Sequence, residues 1–195
     1  MNRERFLRAC VATATFLAFP LTRAAKALTR LRDGKGFVVK VGQDRSNQPM
    51  ALFEGDTFWS KISTIDTAGD LYVFESRRVK EGGPSHHYHF EQDEWWYVLE
   101  GEFQFKIGDT LTHATAGDSV FGPRMIPHSF AKVGQGAGRL LMIFQPAGRM
   151  EECFRQISQG VTRNMSEAEQ DHFRETHGFK RIGPPIGLSK RMVDK

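Results

Sequence analysis

The sequence has little cysteine and no long hydrophobic run. Its two cysteines among 195 residues, Cys10 and Cys153, exclude a disulfide-rich framework. The apolar stretch at residues 9–21 has 13 residues, too few for a comfortable membrane-spanning helix. We expect Cys153 to be a buried, unreactive side chain on a helix.

The chain also has little net charge once its N-terminus is set apart. It carries 27 basic and 23 acidic residues, and residues 1–27 contain five of the basic ones and one acidic one. Subtracting these from the totals leaves 22 of each sign. The overall basic character therefore belongs to the N-terminus, and no basic stripe interleaved with aromatics predicts a nucleic-acid partner.

Residues 1–27 resemble a bacterial secretory signal. A basic head precedes the apolar run, and Ala25 and Ala27 form a small-residue exit. The head also resembles the twin-arginine export motif, although Glu4 replaces the second arginine, so both export routes stay open. We expect cleavage, export to the periplasm or medium and no stable membrane anchor afterwards. The alternative is an N-terminal anchoring helix, which Pro20 would interrupt.

Residues 58–146 alternate short strand-like segments with turns that contain glycine or proline. About nine such segments follow one another, a spacing typical of an all-β sandwich or barrel. No helix-length amphipathic pattern interrupts them, which argues against a parallel β-α-β architecture. We predict one β-barrel domain at residues 28–148.

Residues 149–195 have a different pattern. Met150, Phe154 and Ile157 are spaced as on one face of a helix. A predicted capping box begins a second helix at Ser166. We predict a C-terminal helical extension, consisting of two short helices and a tail that is extended or turn-like, packed on the barrel.

Histidines and a carboxylate cluster near the middle of the chain. Alternate side chains of a strand share a face, so His87 and His89 point to one side and His86 to the other. Glu94 begins the returning strand beside them, and two imidazoles with one carboxylate suit non-haem iron and related divalent metals. His128, which begins a strand after a Gly/Pro-rich turn, is the natural candidate for a fourth ligand.

These residues resemble the two motifs of the cupin family. The first motif is G-x5-H-x-H-x3–4-E-x6-G, and its matching positions here are His87, His89, Glu94 and Gly101. The second is G-x5-P-x-G-x2-H-x3-N, and its matching positions are Gly117, Pro123 and His128. The chain departs from the motifs through a first glycine displaced to Gly82 or Gly83, Met125 in place of a glycine, and Lys132 in place of the asparagine.

The resemblance implies an all-β, jelly-roll barrel with one divalent transition metal inside it. The implied metal ligands are His87, His89, Glu94 and His128. Iron, manganese, nickel, copper and zinc all stay open, and an octahedral metal would keep two positions for water, dioxygen or substrate. The resemblance further implies a homodimer formed through a sheet face.

Among cupins, the chain is most similar to single-domain proteins of the quercetin 2,3-dioxygenase type. The three-histidine, one-glutamate pattern and the tail at residues 177–187 carry this resemblance. It implies a dioxygenase acting on a flavonol-like or other enolisable aromatic substrate, with Glu94 as ligand, general base or both. Two alternatives stay open: an exported carbohydrate- or acid-binding protein without turnover, and a metal-dependent isomerase or decarboxylase.

The aromatic residues next to the ligands have two interpretations. Trp96 shares the face of Glu94, and Phe130 shares that of His128, so both could line the mouth of a substrate pocket. Both could equally belong to the barrel core. The histidines left out of the metal set are interpreted as surface or structural residues; they are His86, His113, His172 and His177.

Overall fold

A computed structural model of the chain describes residues 34–52 and 55–187. The predicted signal at residues 1–27 lies outside the described residues, so cleavage and export stay predictions. Among the helices that the structure describes, none is both long enough and apolar enough to span a membrane.

The described chain from residue 37 onward is built mainly of short strands. Their bounds are β1 Met50–Leu52, β2 Asp56–Ile62, β3 Tyr72–Arg78, β4 Ser85–His89, β5 Asp93–Glu100, β6 Glu102–Ile107, β7 Thr110–Thr115, β8 Ser119–Gly122, β9 His128–Val133, β10 Gly138–Gln145 and β11 Phe179–Pro185. Nine of them, β2 to β10, coincide with the segments that the sequence pattern predicts. β1 and β11 were missed.

The strands form two antiparallel sheets. One sheet has the order β1-β2-β3-β10-β5-β8, and the other has the order β11-β4-β9-β6-β7. Strands distant in sequence are neighbours, as where β10 lies between β3 and β5, which is the strand exchange expected of a jelly roll. The predicted all-β, jelly-roll fold is confirmed.

The hydrophobic core lies between the sheets and is rich in aromatic rings. Along β5, Trp96 and Val98 are buried while Trp95 and Tyr97 alternate with them on the outer face. From the opposite sheet, the rings of Phe103 and Phe105 are fully buried. This alternation directs β5 side chains at even positions, including Glu94, into the barrel.

Two helices follow β10, as the sequence predicts. α1 is Met150–Ser158 and α2 is Glu167–Thr176. The predicted capping box is confirmed: the Ser166 side chain accepts from the backbone of Glu169, whose side chain accepts from the backbone of Ser166.

α1 packs on the barrel through aromatic contacts and through hydrogen bonds. The Phe154 ring lies 5.1 Å from that of Phe58 and 5.3 Å from that of Phe74, centroid to centroid. The Glu151 carboxylate accepts from the Ser63 hydroxyl and the Thr64 amide, both at 2.8 Å. The helix thus covers inward-facing side chains of β2 and β3.

The tail is part of the barrel, which the sequence did not predict. β11 pairs with β4, with Phe179 opposite His89 and Arg181 opposite His87. Residues 149–195 therefore contain an edge strand as well as helices. β11 lacks a hydrophobic alternation and ends in two prolines, which are tolerated only at a sheet edge, so its sequence resembles a loop.

Candidate metal centre

Four predicted ligands from three strands converge inside the barrel. His87 and His89 lie on β4, Glu94 on β5 and His128 on β9, where it pairs directly with His87. One ligand atom from each of the four lies within 4.8 Å of the others, and all four residues are buried. The structure therefore brings together every residue of the predicted metal set.

Backbone carbonyls orient two of the imidazoles. Nδ1 of His87 donates to the Ser85 carbonyl at 2.7 Å, and Nδ1 of His128 donates to the Ile126 carbonyl at 3.0 Å. Because a carbonyl can only accept, these contacts place the Nδ1 proton and leave Nε2 directed at the site. Such outer contacts are the usual way of fixing a metal-ligating histidine.

The Glu94 carboxylate lies against two imidazole nitrogens. Its Oε2 is 3.3 Å from Nε2 of His89 and 3.2 Å from Nε2 of His128. Burial raises the pKa of Glu94, but the contacts with His128 and His89 outweigh it and lower the pKa to about 2. Glu94 is therefore a carboxylate at neutral pH.

His87 and His89 are held in their neutral form. Burial lowers the pKa of His87 to about 3, with further lowering by His89 and His128. Burial likewise lowers the pKa of His89. Neutral imidazole is the form that binds metals.

The donor set fits a divalent metal ion. Both ring nitrogens of His89 and Nε2 of His128 are buried without a hydrogen-bond partner, and buried polar atoms in that state are costly. One cation bound by His87, His89, Glu94 and His128 would satisfy the Nε2 atoms and the carboxylate together. Three imidazoles and one carboxylate suit zinc, iron, copper, nickel or manganese.

The backbone of Gly122 on β8 lies close to the side chains that surround the predicted ligands. Gly122 is paired with Glu94 on the neighbouring strand. A Cβ at Gly122 would lie 2.7 Å from the Trp96 ring and 3.1 Å from Nδ1 of His128. Only glycine fits there without displacing a ring that supports a ligand.

The turn that ends at His128 is fixed by contacts with Asp93 at the start of β5. Asp93 accepts from the Arg124 backbone at 2.9 Å, and its other oxygen pairs with the Arg124 guanidinium at 2.7 Å. The Met125 amide also donates to the His89 carbonyl at 2.8 Å. Met125 has a φ of +62°, which explains why the cupin motif has glycine at this position.

The remaining histidines stand outside the ligand set, as predicted. His86 faces away from the centre, where its Nδ1 lies 3.0 Å from the Ser129 hydroxyl. His113 pairs with Glu102 on the surface. His177 is the exception to its predicted exposure, because it is 3% exposed and its Nδ1 donates to the Phe173 carbonyl at 2.7 Å.

The centre opens on a cavity of about 540 Å³ between the sheets and the C-terminal helices. His87, His89 and Glu94 line it, and most of the remaining wall is aliphatic or aromatic. The volume is within the range of small-molecule sites, roughly 300–1,000 Å³. The arrangement can therefore place an apolar ligand beside the predicted metal.

The two predicted pocket residues differ in position. Phe130 lines the cavity. Trp96 is 1% exposed and lies outside the lining, with its ring 5.4 Å from those of Phe105 and His128. Its proposed place at the pocket mouth is therefore corrected, because its strand position directs it into the aromatic core.

Several cavity residues were missed by the sequence analysis. Phe179 of β11 lies against both β4 ligands, with its ring 5.5 Å from His87 and 5.4 Å from His89. Asp56 and Arg78 also line the cavity. No local signal marked these residues, since each reaches the cavity only through pairing between distant segments.

The buried histidines predict a pH-dependent loss of stability in metal-free protein. Below about pH 6.5 an unfolded His87 takes up a proton, whereas the folded residue, with its pKa of about 3, does not. Stability should therefore fall as the pH drops from 6.5 towards 3, by up to about 1.4 kcal/mol per pH unit for such a group. Urea unfolding of chelator-treated protein at a series of pH values measures this slope.

A variant separates His87 from other acid-sensitive groups. His87→Gln removes the buried titrating group, so its stability should decline less steeply over the same pH range. An identical slope for the variant and the parent protein would contradict the assignment.

Comparison with known proteins agrees with this architecture. Residues 75–144 match the model of the Cupin domain. No curated protein matches the chain.

The chain is also similar to several solved structures. KdgF from Halomonas sp. is 16% identical, with a TM-score of 0.49 over 57% of this chain and 94% of that one. An RmlC-like cupin from Shewanella frigidimarina is 22% identical, with a TM-score of 0.47 over 58% and 93%. A predicted oxalate decarboxylase from Thermotoga maritima is 16% identical, with a TM-score of 0.49 over 57% and 99%.

The matched segment runs through β3 to β10 and contains all four predicted ligands. The matched segment, the order of strands in the sheets and the buried histidine–glutamate cluster all point to a cupin fold. Residues 75–144 match the Cupin domain, and this match together with the jelly-roll fold supports the assignment of this chain to the cupin superfamily.

Proposed function

We propose that this chain is a metal-dependent dioxygenase acting on a small, largely apolar molecule with an enolic or phenolic oxygen, such as a flavonol. The observation that carries the proposal is the opening of the buried three-histidine, one-glutamate set on a mainly apolar cavity of about 540 Å³. Walls of this kind favour a substrate that buries apolar surface.

A divalent transition metal held by His87, His89, Glu94 and His128 would supply Lewis-acid and redox chemistry. Glu94 would serve as a ligand in this proposal, and its second expected role, as a general base that takes a substrate proton, stays a prediction.

The walls of the cavity orient the substrate and exclude water. Phe130 and Phe144 approach from the two sheets, and Phe154 of α1 and Phe173 of α2 approach from the helices. Rings on several sides favour a flat, aromatic ligand. The helices thus complete a wall that the barrel strands alone leave open.

Oxygen consumption tests the proposal. Protein loaded separately with iron, manganese, nickel or copper is incubated aerobically with 3-hydroxyflavone and with quercetin. We expect oxygen uptake matched by loss of the flavonol absorption band with at least one metal. His86→Ala should retain this activity, whereas His128→Ala should lose it.

Neither oxygen uptake nor substrate loss with any of the four metals would refute the proposal. Tightly held zinc without oxygen consumption would favour the binding protein or the isomerase or decarboxylase. We also propose that the chain is exported and that it forms a homodimer.

A further inference from the structure

The cavity has a buried ion pair in a wall that is otherwise mainly apolar. Asp56 begins β2 and Arg78 ends β3, and both line the cavity. Their side chains form a short salt bridge and are only 5% and 12% exposed. Nη1 of Arg78 also donates to the Gly82 carbonyl at 3.0 Å.

The ion pair and the metal centre are separated by one aromatic ring. The Arg78 guanidinium carbon lies 5.5 Å from the centroid of the Phe130 ring. Phe130 is two residues beyond His128 on β9, a distance of about 7 Å along a strand. A ligand that extends from the metal across the face of Phe130 would therefore reach Arg78.

The other charged and polar residues of the wall, apart from the predicted ligands, have different surroundings. Lys80 and Glu81 are exposed, and the two residues from α2 have partners near the helix surface. Arg174 pairs with Asp171 at 2.8 Å and donates to Gln170 at 3.0 Å. Nε2 of Gln170 in turn donates to the Met165 carbonyl at 3.2 Å. Asp56 and Arg78 differ from them in facing the interior while buried.

The fold gives little reason to bury these charges. Replacing a buried ion pair by apolar residues is often neutral or stabilising, because the pair has lost the hydration of both its charges. The desolvation is visible in both groups: burial raises the pKa of Asp56 against the opposing charge of Arg78, and burial lowers the pKa of Arg78. A pair retained at a cavity wall is better explained by ligand recognition.

We propose that Asp56 and Arg78 bind a neutral hydroxyl group at the far end of an elongated, mainly aromatic ligand whose near end reaches the metal centre. Only the placement of the ligand's near end at the metal centre rests on the proposed function. The hydroxyl donates to the Asp56 carboxylate and accepts from the Arg78 guanidinium, which has five N–H donors.

The same pair discriminates against an anionic end group. A carboxylate on the ligand would face the Asp56 carboxylate in a poorly hydrated site, and like charges repel strongly there. It would also have to compete with Asp56 for Arg78. A methoxy group would accept from Arg78 but could not donate to Asp56.

Three biphenyl probes that differ only in the end group test this. Metal-free full chain, in which no zinc can bind the phenol or the carboxylate, is titrated calorimetrically with 4-phenylphenol, 4-methoxybiphenyl and 4-phenylbenzoate. We expect 4-phenylphenol to bind about tenfold or more tightly than either other probe, since hydrogen bonds to charged groups are strong. In Asp56→Asn, this preference should disappear and 4-phenylbenzoate should bind more tightly than it does to the parent protein, because Arg78 has lost its counter-charge.

Two further variants control for folding. Arg78→Lys retains the charge but loses the planar guanidinium, so it should reduce the preference for the hydroxyl probe even if Asp56→Asn fails to fold. Glu75 lies on the same strand as Arg78 but outside the cavity lining, and it pairs with Arg139 of β10. Glu75→Gln breaks that ion pair and should leave the preference unchanged.

The results distinguish this inference from the proposed function. An unchanged hydroxyl preference in Asp56→Asn and Arg78→Lys, or no binding of any probe, would overturn the inference. If the hydroxyl preference depends on Asp56 but no metal form takes up oxygen, the dioxygenase is refuted and the hydroxyl site stands. If oxygen is taken up but the hydroxyl preference is absent, the dioxygenase stands and the hydroxyl site is refuted.

Discussion

Replacing Glu94 with alanine is expected to remove the metal from this protein. Glu94 supplies the single negative charge of a set whose other members are three histidines. Its loss should weaken metal binding by more than about 100-fold, since changes to mere supporting groups already cost 10- to 100-fold. Elemental analysis after dialysis measures the metal content directly.

Two variants distinguish loss of a ligand from loss of the fold. Glu94→Gln keeps the shape of the side chain, and its amide can donate to Nε2 of His89 or His128, which lie 3.3 and 3.2 Å from Oε2. We expect this variant to lose the metal while remaining folded. His86→Ala, changed next to the ligand His87 but on the opposite face, should keep a full complement of metal. Equal loss from His86→Ala would show that the assigned strand register is wrong.

The largest loss of folding stability is expected from Trp96→Ala. The ring is almost completely buried, 5.4 Å from Phe105 and 6.3 Å from Phe130. Removing a large core side chain leaves a cavity and typically costs about 3–5 kcal/mol. Urea unfolding followed by circular dichroism measures the change without relying on tryptophan fluorescence.

The adjacent tryptophan provides a matched control. Trp95 lies on the outer face of the same strand, half-buried, and its Nε1 donates to the Ser119 hydroxyl at 2.6 Å. Trp95→Ala should cost roughly 1 kcal/mol, the value of a typical hydrogen bond. Similar losses from both variants would contradict the assignment of Trp96 to the core.

Much of the metal centre could be predicted because its geometry is local. The positions of His87, His89 and Glu94 follow from side-chain alternation along two consecutive strands. His128 lies on a more distant strand, and the cupin resemblance was needed to place it. The departure at Met125 has a backbone cost, because residues other than glycine rarely adopt its φ of +62°, but its side chain is 56% exposed.

The rest of the site depends on contacts that no local pattern encodes. The tail strand contains glycine and prolines and resembles a loop until its pairing with β4 is known. His177 resembles a solvated residue at a helix end, but it is buried against Phe173, with ring centroids 4.2 Å apart. Asp56 and Arg78 are 22 residues apart in sequence and meet only because β2 and β3 are paired.

The pairing of β11 with β4 also defines the shortest fragment of the chain that should be expressed. β4 meets β9 at one registered position, His87 opposite His128, whereas it pairs with β11 along its whole length. A fragment ending at residue 144, where the matched cupin segment ends, would expose the backbone donors and acceptors of β4. Exposed edges of this kind recruit other chains and promote aggregation. Truncations and fusion sites therefore belong beyond β11, because β11 protects the strand that carries two of the predicted metal ligands.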